Sequence, residues 1–456
     1  MSEVCIVHCI DAEGPLFESF EAKFERLHDL YGITGIAPTK KNFLKLQRGE
    51  IGLGGIEKIV AQTFTSHLMN YNDTWDKIDL MTQDAISDSF RNQLKDSYGN
   101  GWCYNWFCLD FVGFEYNPRR RDFGYHNIFN YYKEIKAQNP DSNDSIHWHF
   151  HPISIYKDAH HCATSFVNST YELYQVLCRR IIEKNWFPTA FRAGFQAERP
   201  DSNLFLEQWV PFDISNMALE DNSEFENTID FKNGRSGDWR LAPSDWSIYH
   251  PHHDNYQLHG NCRRWIARAL NILNRIANID QHEMDKAFKK AQDGTTVLVG
   301  VVSHDFRDYR PDVDHVRKLI AASAKQYPNV PFRYCETIDA FRRTIYPEGT
   351  KEYESLDFDI TFHPKSDSDV PYIEVKVKKG EVFGPQPFLA IQTFSRRFIH
   401  DNFDFSTSPG TWYYAFHSDT LPIDDVAIVG VAANDNLGNV CIRKLQFKKN
   451  GKVKYL

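Results

Sequence analysis

Short apolar runs that end in a polar side chain recur along the chain up to about residue 346. Val4–Ile10 (VCIVHCI) leads into Asp11, and Thr295–His304 (TTVLVGVVSH) is apolar until Ser303 and His304. Continuous apolar runs of about four to eight residues are typical of strands that are buried on both faces. Both runs are therefore predicted to be buried strands that carry a polar side chain at the carboxyl end.

Helices and further strands alternate between these two runs. Three short aromatic or β-branched segments are predicted strands: Gly101–Val112, Ser145–Pro152 and Phe187–Phe195. Three amphipathic segments are predicted helices: Thr170–Glu183, Arg263–Ile276 and His315–Gln326. The segment from Gly14 to about Asn100 is also expected to be helical. Strands that alternate with helices predict a mostly parallel α/β sheet, either a closed barrel or an open layer.

The pattern changes at about Pro347, where short strands separated by turn residues replace the alternation. Only Gln392–Asn402 is predicted to be helical in this part of the chain. Regularly spaced short strands are typical of an all-β sandwich. We therefore predict two domains, an α/β domain over residues 1–346 and a β-sandwich over residues 347–456.

The composition is that of a globular protein with many aromatic residues. Of the residues, 42% are hydrophobic and 25% are charged, which are ordinary values. The 34 Phe, 22 Tyr and 10 Trp exceed what a carbohydrate site needs, so most of them must be core. A net charge of -9 provides no basic surface for a nucleic acid, and a nucleic-acid partner is therefore not expected.

The cysteines and the N-terminal segment bear on the compartment. Nine cysteines lack CxxC spacing, which is typical of reduced thiols. The segment MSEVCIVHCIDAEG begins a strand at once and does not resemble a signal peptide. No run approaches the ~18 apolar residues of a membrane span. We therefore expect a cytoplasmic protein without a membrane span, and an oligomer is compatible with the sequence.

The stretch IHWHFHP, residues 146–152, contains three histidines at alternate positions. In a strand His147, His149 and His151 lie on one face, and in a strand that breaks into a turn His147 and His151 also converge. Neutral imidazole is a common zinc ligand, so the stretch predicts a metal site. The spacing alone leaves open which two histidines bind the ion, and strand packing without a metal is the alternative.

A catalytic zinc site needs a third protein ligand, which we expect at the end of another strand. Asp11 and Glu13, in IDAEGP, are two carboxylates beside a Gly-Pro turn. One could bind the metal while the other acts as a base toward water. A helix N-cap followed by an acidic residue in the first turn is an equally good interpretation of this stretch alone.

Four segments in this order resemble the motifs of the polysaccharide deacetylase (NodB-homology) family. IDAEGP resembles the first motif and IHWHFHP the second, with His147, His151 and Pro152 in the family positions. PTAFRAGF is similar to the third motif, and VLVGVVSHDF to the last. The resemblance spans residues 4–343 and implies a NodB-like distorted (β/α) barrel with a long insertion at about residues 14–145.

The resemblance also implies a role for each matching residue. Glu13, His147 and His151 would bind a divalent metal, most simply Zn²⁺, and Asp11 would be the general base. Arg192 would pair with Asp11 and lower the pKa of its carboxyl group. His304 would be the general acid, tuned by Asp305. Residues without a family position, or with a weaker one, are candidates for substrate or supporting contacts: His149, Asp213 and Asp245.

The implied activity is metal-dependent hydrolysis, namely N-deacetylation of an amino sugar in surface-polysaccharide (O-antigen or capsule) biosynthesis. The partner would then be a carbohydrate, an N-acylated sugar. Two features depart from the family pattern, Trp148 after the first histidine and the displaced acid Glu13. Two alternatives follow: another metallohydrolase that uses the His149–His151 pair, or a non-catalytic carbohydrate-binding scaffold.

Overall fold

Seven parallel strands close into a barrel in the computed structural model, which describes residues 2–110, 126–151, 153–155, 157, 165–228, 231, 236–349, 354–365, 370–449 and 451–456. An eighth short strand pairs in parallel with the start of the first. The parallel strands are β1 Val4–Ala12, β2 Tyr104–Asp110, β3 Ser145–Phe150, β4 Ala190–Ala193, β5 Phe212–Asn216, β6 Trp265–Asn271, β7 Val297–His304 and β8 Phe332–Tyr334. The closed barrel decides between the two architectures that the sequence left open.

Strand β1 closes the barrel because it pairs with β7 on one side and with β2 on the other. Its alternate residues enter different cores. Val4, Ile6 and Ile10 pack beneath the surrounding helices, while Cys5, Val7 and Cys9 share a core with residues of β2, β4, β5, β6 and β7. The second core fills the barrel, and Asp11 has the same parity as the residues that line it.

Helices cover the outside of the barrel and several begin at a side-chain cap. Ser19, Thr74 and Asp280 each accept a hydrogen bond from a backbone N–H of the first turn. The helices are α1 Phe20–Tyr31, α2 Lys40–Gln47, α3 Glu57–Thr63, α4 Ser66–Met69, α5 Trp75–Ala85, α6 Asp88–Arg91, α7 Asn127–Gln138, α8 Thr170–Lys184, α9 Pro200–Trp209, α10 Ser223–Glu226, α11 Gln281–Gln292, α12 Arg310–Gln326 and α13 Thr337–Ile345. None of the helices in the described part of the chain has the length and apolar character needed to cross a bilayer.

The helical segment between β1 and β2 confirms the prediction for this region. Helices α1 to α4 have a small core of their own, which includes Phe24, Phe43 and Phe64. The predicted insertion at about residues 14–145 also contains β2, a strand of the barrel, and α7. The added structure at the carboxyl end of β1 is therefore the helical part that precedes β2.

Two antiparallel sheets form the C-terminal region and share one hydrophobic core. The other face of the five-stranded sheet packs on α8 and α9 of the barrel. The strands are β9 Asp357–His363, β10 Tyr372–Lys379, β11 Phe388–Thr393, β12 Phe398–Asp401, β13 Asp404–Phe405, β14 Thr411–Ala415, β15 Val426–Asn434, β16 Val440–Phe447 and β17 Val453–Tyr455. The sheet that lies against the barrel is thus buried on both faces.

Two helix predictions are wrong. Arg263–Ile276 contains strand β6, and Gln392–Asn402 contains the hairpin of β11 and β12. An amphipathic helix would expose the arginines of the first segment, but Arg264 and Arg268 are fully buried and paired with carboxylates. Buried ion pairs placed charged residues inside the sheet, where a hydrophobic pattern does not predict them.

The buried His8 makes stability depend on pH. Trp102 donates to Nδ1 of His8, and Nε2 of His8 lies 2.9 Å from Oγ of Ser303. Burial, reinforced by Arg317, lowers the pKa of His8 to about 3. Because the unfolded chain binds the proton more readily, stability should fall as the pH drops from about 6.5 toward 3, by up to about 1.4 kcal/mol per pH unit.

Chemical unfolding at several pH values between 6.5 and 4 tests this expectation. His8→Gln should show a shallower decline of the free energy of unfolding than the wild-type chain, whatever its stability at pH 7. His282→Gln, at an exposed position, is the matched control and should keep the wild-type slope. Equal slopes for His8→Gln and the wild type would contradict the account.

Candidate metal centre

Glu13, His149 and His151 come together at the carboxyl ends of β1 and β3 and could hold a metal ion. Nε2 of His149 lies 3.0 Å from Nε2 of His151. Oε1 of Glu13 lies 3.3 Å from Nε2 of His151 and 3.6 Å from Nε2 of His149. All three side chains are buried. The structure thus forms a compact triangle of one carboxylate oxygen and two imidazole nitrogens.

The dimensions and chemistry of this triangle fit a divalent ion. An ion bonded at about 2.0–2.1 Å in tetrahedral geometry holds its ligand atoms roughly 3.3 Å apart. The three distances, 3.0, 3.3 and 3.6 Å, lie around that value. Two nitrogens and one oxygen suit zinc and neighbouring transition metals, and three protein ligands leave a position open for water or substrate.

The orientation of His149 supports the same interpretation. Nδ1 of His149 lies 2.9 Å from the carbonyl oxygen of Arg192 and donates its proton to it. The lone pair of the neutral ring is then on Nε2, which faces Glu13 and His151. Metal-binding histidines in proteins commonly donate their other N–H to a carbonyl or carboxylate, which fixes the tautomer. His149 therefore presents the nitrogen that a metal needs.

Asp305 fixes the backbone that carries Glu13. Its carboxylate accepts hydrogen bonds from the N–H groups of Glu13, at 2.8 Å, and Gly14, at 3.0 and 3.1 Å. Tyr132 donates to the same carboxylate at 2.9 Å. Gly14 has φ of +71°, a conformation that glycine adopts without strain. Asp305 thus holds the turn after β1, while the acidic groups that raise the pKa of His304 are Asp11 and, to a smaller extent, Glu13.

Gly194 lets His151 approach the end of β4. A Cβ atom at this position would overlap the ring of His151 and lie 2.8 Å from its Cα. The next residue, Phe195, has φ of +54° and packs edge-on against the His151 ring at 4.7 Å between centroids. A bulky residue in this conformation is strained, and such strain concentrates at functional sites. The Gly194–Phe195 turn therefore forms one wall of the metal centre.

Asp11 and Arg192 form a buried ion pair beside this triangle. Nε of Arg192 donates to Oδ1 of Asp11 at 2.6 Å, and Nη2 donates to Oδ2 at 3.0 Å. Burial alone would raise the pKa of Asp11, but Arg192, with smaller contributions from His149 and His304, outweighs it and lowers the pKa below its ordinary value. Asp11 is therefore a carboxylate at neutral pH and can accept a proton.

His304 lies on the other side of Asp11, at the end of β7. Its Nε2 is 3.8 Å from Oδ2 of Asp11 and 4.0 Å from Oε1 of Glu13. Nη2 of Arg307 lies 3.4 Å from Nδ1 of His304, so Nδ1 is the acceptor and Nε2 carries the proton toward the centre. Burial lowers the pKa of His304 to about 4, opposed by Asp11 and reinforced by Arg307. His304 is thus a neutral imidazole at neutral pH.

His147, which the sequence paired with His151, is not in the metal group. Its Nε2 lies 2.6 Å from Oγ of Ser145 and 3.1 Å from Oε1 of Glu336, deeper in the barrel. Strand β3 puts His147, His149 and His151 on one face, as predicted. The three histidines nevertheless lie at different depths in the barrel. His149, and not His147, therefore lies with His151 and Glu13 in the metal group.

The remaining candidates lie away from the metal group. Asp213 is fully buried in β5, 3.2 Å from Nε of Arg264, and Asp245 binds Ser247 and Lys290 near the surface. His253 is exposed. Pro152 and the pair His160–His161 lie outside the described residues. None of these described side chains therefore contributes to the triangle of ligands.

Sequence reasoning missed several residues that shape the site, among them Gly194, Tyr132 and Arg307. One signal in the sequence pointed to Arg307, since it follows the predicted strand end at His304 and strand ends gather at one edge of a barrel. Tyr132 lies in α7, far from any motif, and only the fold brings it to Asp305. Contacts between distant segments of this kind have no local sequence signal.

Comparison of the chain with models of protein families, with curated proteins and with solved structures gives no match. The function therefore has to be inferred from the residues of this chain. The structure shows a closed parallel barrel followed by antiparallel sheets. It also shows a buried Glu-His-His group that could hold a metal ion.

Variants of the two disputed histidines distinguish the ligand sets. His149→Ala removes a vertex of the triangle, so the purified protein should hold much less zinc than the wild type, with an affinity at least about tenfold weaker. His147→Ala should keep one ion per chain. Elemental analysis after dialysis against zinc measures both, with circular dichroism to confirm folding. Zinc lost in His147→Ala and kept in His149→Ala would contradict the ligand set described here.

A second test leaves all ligands in place. Gly194→Ala adds a Cβ that His151 must move to accommodate, so zinc affinity should fall about tenfold or more although no ligand is removed. Gly52→Ala is the matched control, because a Cβ at Gly52 meets nothing within 4 Å and its φ lies outside the left-handed region. Competition with a chromogenic chelator measures the affinity. Wild-type affinity in Gly194→Ala would show that this turn does not position His151.

Proposed function

We propose that the protein is a metal-dependent hydrolase. The observation that carries the proposal is the buried group of Glu13, His149 and His151, flanked within 4.0 Å by Asp11 and His304. All of these side chains extend from the carboxyl ends of barrel strands, the face at which active sites of (β/α) barrels lie. A bound divalent ion would supply a Lewis acid and would lower the pKa of a water molecule to about 7.

The residues around that group can divide the proton transfers between them. Asp11 is the base, since Arg192 keeps it charged and fixes both of its oxygens. His304 presents its Nε2–H from the opposite side and, as a neutral imidazole, can donate a hydrogen bond to the developing oxyanion or to the leaving group, while the proton that Asp11 takes from the water is available for the leaving nitrogen. In the hydrolysis of an amide, the water adds to the carbonyl carbon, the C–N bond breaks, and the leaving nitrogen takes up a proton.

The substrate that the motifs favour is an N-acylated amino sugar. The four motifs in family order support this choice, as do the Asp11–Arg192 pair and the position of His304, which agree with the roles implied by the NodB-type family. The finer proposal is then a deacetylase with a NodB-like barrel that acts on a sugar unit of a surface polysaccharide and releases acetate or formate.

One observation favours a second candidate, a metallohydrolase of a different HxH type. The histidine pair in the metal group is His149 with His151, not the pair of the deacetylase motif. That candidate predicts a second ion bound by further carboxylates. The described residues contain one group of three ligands, so a single ion per chain favours the deacetylase and two ions favour the alternative.

Variants of the base and the donor test the proposed mechanism. Asp11→Asn and His304→Ala should each lower kcat for release of acetate from N-acetylated amino sugars by about 10²- to 10⁴-fold. His304→Ala should retain its metal, because His304 is not one of the three ligands. Initial rates of acetate release and metal content are measured on the same preparations.

Two exposed positions provide matched controls, Asp293→Asn and His282→Ala, and both variants should turn over at the wild-type rate. A wild-type protein that holds zinc but releases neither acetate nor formate from any N-acylated amino sugar would contradict the substrate assignment. Full activity in Asp11→Asn would contradict the proposed base.

A further inference from the structure

Arg307 places a positive charge beside His304, next to the metal centre. It lies in the loop between β7 and α12, three residues after His304, and its Nη2 is 3.4 Å from Nδ1 of His304. Its guanidinium also lies over the ring of Phe306, 5.2 Å from the centroid. His304 separates Arg307 from Glu13, so the guanidinium is one imidazole ring away from the proposed ligands.

No carboxylate of the described residues forms an ion pair with this guanidinium. Asp312, one acidic group near it, lies 3.2 Å from Nε2 of His67. Glu13, the other, belongs to the metal group. Arg275, in the loop after β6, adds a second positive charge nearby. Burial, together with the repulsion from Arg275, lowers the pKa of Arg307.

The other buried arginines are different, because each has an acidic partner within 4.0 Å. These pairs are Arg91–Asp144, Arg180–Asp110, Arg192–Asp11, Arg264–Glu198, Arg268–Glu283 and Arg317–Asp314. A partly buried cation without a counter-ion is unfavourable unless a ligand supplies the negative charge. Arg307 thus has the chemistry of a binding group and not that of a structural one.

We propose that Arg307 binds an anionic substituent of the substrate, an oxyanion such as a phosphate or a carboxylate. The balance of charge at the site agrees with this. Arg192 compensates Asp11, and a divalent ion would compensate Glu13, so the charge of Arg307 remains to attract an anion. A guanidinium binds both kinds of oxyanion through two parallel N–H donors.

The position of Arg307 also says which part of the substrate carries the anion. This step rests on the proposed hydrolase, in which His304 stands beside the leaving nitrogen. Because Arg307 lies behind His304 as seen from Glu13, it would contact the amine-bearing sugar and not the acyl group. The substrate class is therefore an N-acylated amino sugar that bears a phosphate or a carboxylate.

Binding of inorganic phosphate to the zinc-loaded protein tests the anion site without turnover. Isothermal titration calorimetry should show that Arg307→Gln binds phosphate about ten- to hundredfold more weakly than the wild type. Arg307→Lys keeps the charge and should lose less. The matched control is Arg310→Gln at the first residue of α12, where Asp308 and Asp84 already pair with the guanidinium, and its affinity should stay within about twofold of wild type.

Phosphate affinity that is unchanged in Arg307→Gln, or absent in the wild type, would overturn the proposal. Because the readout is binding, its failure is distinct from that of the proposed function. If Arg307→Gln loses phosphate binding while the wild type shows no hydrolase activity, the anion site is supported and the proposed function is not. If the wild type releases acetate but both proteins bind phosphate equally well, the proposed function is supported and the anion site is contradicted.

A second set of titrations distinguishes phosphate from carboxylate. N-acetylglucosamine, its 1- and 6-phosphates and N-acetylglucosaminuronic acid are compared as competitors of phosphate. Tighter binding of the phosphates or of the uronic acid than of the neutral sugar supports the proposal, and the tighter class identifies the anion. Equal binding of all these sugars would overturn it.

Discussion

The site depends above all on Arg192, one residue that connects four strands of the barrel. Its guanidinium donates twice to Asp11 of β1 and once, through Nη1, to the carbonyl of Ile214 in β5. Its own carbonyl, in β4, accepts from His149 of β3. Breaking a buried ion pair by removing one partner costs about 3–5 kcal/mol, because the other charge remains buried. Arg192 therefore fixes Asp11 and His149 together.

A second carboxylate, that of Asp305, positions the backbone on the other side of the site. Asp305, directly after β7, accepts from the backbone of Glu13 and Gly14 after β1. The two strands are neighbours in register, with Asp11 opposite His304. The end of β7 and the loop after it thus place three side chains within four residues: His304 toward the centre, Asp305 on the turn of Glu13, and Arg307 beside His304. An apolar core fills the barrel beneath them.

The sequence predicted the parts of the fold that have a local period. The apolar runs of β1 and β7 and the amphipathic α8 and α12 were found because burial on two faces or one leaves a regular pattern. Asp11 and His304 also end predicted strands, and the carboxyl ends of parallel strands meet at one edge of a barrel, so the sequence placed these two side chains near each other. Strand β6 was missed because buried, paired arginines lie in the strand, at Arg268, and directly before it, at Arg264, and a buried charge has no signature in hydrophobicity.

The choice of histidines shows where sequence reasoning stops. Alternation along β3 puts all three on one face, so no periodicity can separate them. The separation comes from depth and from distant partners: His147 meets Glu336, which is far away in the sequence, and His149 meets the carbonyl of Arg192. These contacts exist only after the barrel has closed. The deacetylase-like motif therefore pointed to the strand that carries the metal group. It paired His147 with His151, whereas the structure brings His149 and His151 together.

The location of a bound ion tests this account most directly. Anomalous diffraction at the zinc absorption edge, from crystals of the zinc-loaded protein, gives the position of the metal without assuming its ligands. We expect one peak per chain, about 2.0–2.2 Å from Nε2 of His149, Nε2 of His151 and a carboxylate oxygen of Glu13. A peak bound by His147, or no peak at the carboxyl ends of β1 and β3, would contradict the central claim.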